Sequence, residues 1–227
     1  PSLLERLSSI FQSNGNSNSS NSKSALRYPQ TASAAAEEIR ALAATTAGGT
    51  ATSLDTRREI LSLAESLRDE APECRGSLQA AKRAISGTWR QVWSTEKETL
   101  FIFSTLAPLF GTNGEAALQV IDAEAGRLQN VITFANGASF VVESTLEVVE
   151  GEDEGGQGGS ASSPLPLRCN FAFTGAALKT PTGREIKLPP AGKGWFDTVY
   201  VDGDVRVALD IRKDTLVVER DGDVRWF

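Results

Sequence analysis

From Gly87 onward the chain changes period, and that change restricts its fold more than any other feature. Before it, apolar residues recur at helical spacing; after it they alternate, as side chains do on a pleated strand. Leu128, Asn130, Ile132 and Phe134 share one face of such a stretch. Phe140, Val142, Ser144, Leu146 and Val148 share a face of the next. Cys169, Phe171 and Phe173 alternate with Asn170, Ala172 and Thr174, and Val205, Val207, Leu209 and Ile211 with Asp204, Arg206 and Asp210. Turn signals punctuate them at Ala125-Gly126, Asn136-Gly137, Thr182-Gly183, Asp202-Gly203 and Asp221-Gly222. Asn-Gly and Asp-Gly are strong hairpin signals, because a type I′ turn needs positive φ at both central residues. Eight or nine short strands in hairpin succession predict a sandwich or an up-and-down barrel. Residues 150–163, acidic and then rich in Gly and Ser, read as a long surface loop.

The first part is helical. Ala32 to Ala44 forms an Ala-rich segment whose large apolar residues are Ile39 and Leu42. Ile60, Leu63, Leu67 and Ala71 mark a second helix, capped by Ser53 or Asp55 and stopped by Pro72. Ser77 to Ile85 leads into Gly87. Leu3, Leu7 and Ile10, followed by Phe11, are spaced for a short helix too marginal to stand alone, so it docks on the body, a partner or a membrane surface. An Asn/Ser-rich stretch over 12–24 reads as a flexible linker behind it. The expected division is a helical and flexible extension over 1–50 and a barrel domain over 51–227 with leading helices over 53–85.

Composition removes several function classes. The net charge is −6, and residues 1–86 carry 10 basic and 9 acidic side chains, so the strand-rich part holds the negative excess. A phosphate backbone needs a positive field, which argues against a nucleic-acid partner. The chain has no histidine, so Ser-His-Asp and Cys-His catalysis and His-ligated metal sites are excluded. Cys74 and Cys169 are too few for a disulfide framework, and one bridge between them stays open. Asp202/Asp204 and Asp221/Asp223 flank hairpin glycines and are explained by turn chemistry. A start at Pro1 without any methionine is read as a processed form.

Two features carry a binding function without deciding it. The run Leu100 to Phe110, with Phe101, Phe103 and Leu106, is too short to span a membrane. It is either a buried strand or an apolar lip over a barrel mouth. Phe134, Phe140, Phe171, Phe173, Trp195 and Phe196 either line a cavity or fill it, since an eight-stranded barrel is at the border between the two.

Particular stretches add a resemblance. Thr56-Arg57-Arg58-Glu59-Ile60, then Ile85-Ser86-Gly87-Thr88-Trp89-Arg90-Gln91-Val92-Trp93-Ser94-Thr95, Arg127-Leu128-Gln129-Asn130-Val131 and Gly194 to Val207 resemble the plastid lipid-associated proteins, also called fibrillins or plastoglobulins. The last stretch resembles the family's Thr-x-Tyr-x-Asp-x-x-x-Arg signature through Thr198, Tyr200, Asp202 and Arg206. Trp93 stands where a Tyr is more usual, Cys74-Arg75-Gly76 replaces an Asn-Pro-Thr-Pro-like segment, and Ala208-Leu209-Asp210 replaces a Gly-rich continuation.

The resemblance implies a lipocalin-like antiparallel up-and-down barrel of 8–9 strands with an N-terminal helical extension. It implies a non-enzymatic chloroplast protein, its transit peptide removed, at thylakoid membranes or plastoglobules. The implied ligand is a carotenoid, prenylquinone or other lipid, with no covalent cofactor. Gly87-x-Trp89 also resembles the lipocalin opening motif, in which the Trp closes the barrel against a late-strand Arg; of Arg206, Arg220 and Arg225, Arg206 is the expected partner. The expected ligand contacts are Phe101, Phe103, Leu106, Asn130, Ile132, Phe134, Phe140, Val142, Phe171 and Phe173, with Asn130 or Ser144 holding a polar end. Leu3, Leu7, Ile10 and Phe11 are the expected docking residues for an alternative role, as an assembly subunit on a photosynthetic membrane complex or beside a prenyl-lipid synthase.

Overall fold

A computed structural model describes residues 32–46, 49, 51–67, 77–95, 114–150, 167–189 and 192–227. Three helices, α1 (Ala32–Ala44), α2 (Leu54–Leu67) and α3 (Leu78–Ile85), precede nine strands. These are β1 (Gly87–Ser94), β2 (Gly114–Asp122), β3 (Arg127–Phe134), β4 (Ser139–Glu150), β5 (Leu167–Lys179), β6 (Glu185–Leu188), β7 (Lys193–Val201), β8 (Val205–Asp210) and β9 (Thr215–Gly222). The sheet runs β4-β3-β2-β1-β9-β8-β7-β5-β6, every described pairing is antiparallel, and β4 also pairs with β5. That pairing closes eight strands into an up-and-down barrel, with β6 as a spur.

Closure is complete at one end only. β1 pairs with β2 through Gly87–Arg90 alone. β5 pairs with β7 through Leu167–Ala172 and with β6 through Ala176–Lys179. Above those registers the wall divides into a β2–β6 leaf and a β7-β8-β9-β1 leaf. Extra residues at Val92, Thr174 and Val199 shift the register, as bulges do where a sheet must bend.

Both outer faces of this small barrel are covered. Ile39, Ile60 and Leu67 of α1 and α2 are fully buried against Trp93, Val199, Tyr200, Val205, Val207 and Val217. Each such side chain contributes roughly 1.5–3 kcal/mol of burial. The Trp93 indole donates to Thr52 Oγ1 at 3.1 Å. Across the barrel, residues 223–227 lie on β1–β4. Phe227 packs on Ala116, Leu118, Val131 and Val141, and its N–H donates to Gln129 Oε1 at 3.0 Å. The strands are therefore apolar on both faces, which explains runs such as Val205-Arg206-Val207-Ala208.

The closed end is sealed by α3 and Trp89. Ala81 and Ile85 join Trp89, Ile121, Leu128, Leu146, Val148 and Cys169 in one cluster. The chain passes from helix to strand at Gly87 with φ 147°, where a Cβ would lie 2.6 Å from Arg220 Nη1. Trp89 Nε1 donates to Ile85 O at 2.8 Å. Arg220 covers the indole with its guanidinium carbon 4.2 Å from the ring centroid. The same group donates to Ala84 O, Ser86 O and Gly203 O at 2.8, 3.0 and 2.7 Å. Arg220 thus satisfies carbonyls at the end of α3 and ties that helix to the β7–β8 turn. The clamp expected of Arg206 is made by Arg220; Arg206 lies 5.3 Å from the same ring on the inner side.

Two turns differ from expectation. Asp221-Gly222 ends β9 instead of turning a hairpin. The β8–β9 hairpin is made by 211–214, where Asp210 accepts from Arg212 N and Asp214 N and Lys213 takes φ 62°. Carboxylate acceptors, here and at Asp202, do the work that glycine signals were read to do.

Replacing Gly87 by Ala forces a side chain into the guanidinium and an unfavourable φ, and should lower unfolding free energy by about 1–3 kcal/mol in denaturant melts. Arg220→Met removes three carbonyl bonds from one buried end and should cost about 2–4 kcal/mol in the same measurement.

Candidate functional site

The candidate site is the lumen, and register assigns its walls. A residue paired with a known lumen residue faces the same way. On β3, Leu128, Asn130, Ile132 and Phe134 point inward; on β4, Phe140, Val142, Ser144, Leu146 and Val148 do so. Phe171 and Phe173 of β5 face them, with ring centroids 5.4 Å apart. Gly194 makes room for Phe171, since a Cβ there would lie 2.9 Å from its ring. Phe196 lies deeper, 6.2 Å from Phe171. Trp195, read as a cavity residue, instead faces outward beneath Arg168, which is 3.9 Å from its ring and pairs in bidentate fashion with Asp197. Phe101, Phe103 and Leu106, and the docking set Leu3, Leu7, Ile10 and Phe11, lie outside the described residues, as does Cys74.

The lumen contains two apolar layers. The floor includes Trp89, Ile121, Leu128, Cys169 and Val218, each 0–1% exposed. The rim is formed by Ile132, Phe134, Phe140 and Val142 with Ala117, Phe173, Ala176, Leu178 and Leu188. All the rim residues belong to the β2–β6 leaf. Here Ala117, Phe173, Ala176, Leu178 and Leu188 stay partly accessible although they face inward. The floor cluster is mostly buried, with Phe171 and Leu216 partly accessible, whereas more of the inward-facing residues of the rim remain accessible.

Polar residues occupy the boundary. Gln119 lies between rim Ala117 and floor Ile121, Asn130 between Ile132 and Leu128, and Ser144 between Val142 and Leu146. Gln119 Nε2 donates to Asn130 Oδ1 at 3.1 Å. Thr198, paired with Leu167 and Ala208, also faces inward.

Arg206 enters this belt from β8, beside Val201 and Val218. It is fully buried, between the rings of Trp89 and Phe196 at 5.3 and 5.5 Å. Its Nη2 donates across the barrel to Gln119 Oε1. Its Nε and Nη1 have no acceptor, and neither Ser144 Oγ nor Thr198 Oγ1 has a partner. No carboxylate among the described residues pairs with it. Burial pushes the guanidinium pKa down to about 10, with a smaller raising effect from Cys169 and a lowering one from Arg220. The group therefore stays charged at neutral pH. A buried, unneutralised guanidinium costs several kcal/mol in real proteins. This belt can orient and neutralise the polar end of a molecule whose apolar part lies against the rim.

Sequence reasoning placed Arg206 against Trp89 as a structural clamp, and it missed Gln119 and Thr198. Thr198 and Arg206 are the two ends of the Thr-x-Tyr-x-Asp-x-x-x-Arg signature, and both point inward. Its middle residues act elsewhere, since Tyr200 donates to Asp202 at 2.6 Å outside the lumen.

Comparison with known proteins agrees with this architecture. The PAP_fibrillin family model matches residues 35–153, which hold most of α1, all of α2 and α3, β1–β4, Trp89 and Asn130. A relative, "Probable plastid-lipid-associated protein 11, chloroplastic" of Arabidopsis thaliana, is 44% identical over 137 residues. That alignment covers 60% of this chain, and the chain spans 57% of the relative's length. No solved structure matches the chain. By its family match, over half its length, the chain belongs to the PAP/fibrillin family of plastid lipid-associated proteins.

Proposed function

We propose that this chain is a non-catalytic chloroplast protein that holds one apolar lipid in the rim half of its barrel, at a thylakoid or plastoglobule surface. The observation that carries the reading is the contrast within one lumen. Floor residues such as Leu128 and Val218 are 1% exposed, while rim residues Phe173, Ala176 and Leu178 face inward and stay accessible. An apolar wall left open in that way gains about 25 cal/mol for each Å² that a ligand covers. A prenylquinone, a carotenoid or an acyl lipid offers that surface, and Asn130 and Gln119 hold its polar end. Absence of histidine supports a role without chemistry.

The open end also suits a lipid surface. Ile186 and Ile211, 41% and 55% exposed, lie there on β6 and in the β8–β9 turn. Lys179, Lys187 and Lys213 stand near them together with Glu185, while Arg212 pairs with Asp210 and Asp214 at 3.3 and 3.8 Å. Thr95 and Gly114, which bracket the apolar run holding Phe101, Phe103 and Leu106, lie at this end too.

Native mass spectrometry of the delipidated chain, incubated with a plastid lipid extract, tests the reading. One bound lipid per chain is expected. Ala176→Trp, which fills the rim, should lower occupancy roughly tenfold or more, equivalent to about 1.4 kcal/mol or more. A folded chain that takes up nothing from the extract would overturn the proposal.

A further inference from the structure

The polar belt of the lumen contains a charge that no carboxylate of the described protein neutralises, and this points to the chemistry of the ligand's head. We propose that Arg206, with Thr198 and Ser144, is a carboxylate site, so that the lumen takes a single-chain acid with its head at the polar belt above the floor and its tail along the rim. The inference rests on the lipid-holding reading above and specifies the ligand class for the same lumen.

Three observations carry it. First, Arg206 is fully buried, yet Nε and Nη1 have no acceptor. Gln119 occupies one hydrogen of Nη2. A guanidinium has two edges that share Nη2, one with Nε and one with Nη1. Whichever Nη2 hydrogen Gln119 takes, the other edge retains two parallel donors. That edge is the geometric match of a carboxylate.

Second, the remaining unpartnered buried side-chain atoms are Thr198 Oγ1 and Ser144 Oγ, both facing the lumen, Ser144 opposite Phe173 of β5 and Thr198 opposite Leu167 of the same strand. Each hydroxyl can donate to an oxyanion. The complete set of unsatisfied buried side-chain atoms among the described residues is thus a cation and two hydroxyls, all in one lumen.

Third, the alternatives fit the charge less well. A neutral quinone carbonyl accepts hydrogen bonds but leaves the cation unneutralised in a dry site, where that is most costly. A phosphate monoester brings a second negative charge, while the neighbouring Arg220 is already engaged by three backbone carbonyls. One cation calls for one carboxylate. The rim lining of Phe173, Ala176, Leu178, Ile132 and Val142 suits an acyl tail and offers no polar atom along it.

Titration calorimetry of the delipidated full chain with palmitic acid, methyl palmitate and a neutral prenylated benzoquinone tests this. Ester and acid share a tail and differ in charge. The wild-type chain should bind the acid roughly tenfold or more tightly than the ester. Arg206→Met should erase that preference by weakening the acid far more than the ester, and melt no earlier than wild type, since an apolar replacement of a buried charge is commonly neutral or stabilising. Thr198→Val leaves the guanidinium in place and should weaken the acid several-fold without affecting the ester, so the proposal stays testable if Arg206→Met fails to fold. Equal affinity of the wild-type chain for acid and ester would overturn the carboxylate site and leave the lipid-holding lumen intact. So would binding of the benzoquinone alone. If the wild-type chain binds none of the three, and nothing from a plastid extract, the lipid reading fails and the carboxylate site fails with it.

Discussion

This barrel is closed at one end, and the closure depends on a cation laid over an indole. Arg220 sits 4.2 Å above Trp89 and bonds three carbonyls from α3, the helix–strand junction and the β7–β8 turn. Cation–π attraction contributes most where water is excluded, as it is around this fully buried ring. Gly87 follows from the same contact, because any larger residue would displace the guanidinium. The direction of β1, the seat of α3 and the depth of the lumen all derive from that one packing arrangement.

Its neighbour Arg206 faces the same indole from inside and behaves differently. Arg220 has every donor nitrogen matched to a backbone oxygen, whereas Arg206 has one protein acceptor and two idle nitrogens. Two arginines of the same net charge, a few residues apart in the sheet, thus divide the labour of the closed end. One is part of the protein's own hydrogen-bond balance. The other carries an imbalance that stability alone does not explain.

Much of this was legible in the sequence, for a simple reason. Pleating imposes a period of two, so Asn130, Ile132 and Phe134 on β3 and Phe140 and Val142 on β4 were bound to share a face. The up-and-down order followed from short hairpins. Illegible features came from two sources. Bulges break parity: Val92 turns Trp93 out of the lumen and under the helices, although it stands four residues after Trp89. Coverage of both faces hides the inside: Val205, Val207 and Leu209 look like a lumen face but pack on α1 and α2, and the face carrying Arg206 and Ala208 is the inner one. Nor does local spacing reveal which of three late arginines reaches which side of one ring.

The divided wall has a mechanical consequence. Below the level of Arg90 and Ala172 the strands form an unbroken hoop, so local opening there costs nearly the full cooperative stability of the domain. Above it, one leaf is splinted by two helices and the other, which holds every rim residue, is not. Along those seams the described strands share no ladder pairs, and the Phe173 N–H donates across one of them to Gly192 O at 3.1 Å. Any widening of the barrel is thereby confined to its upper storey, and the hoop below keeps its ladder intact.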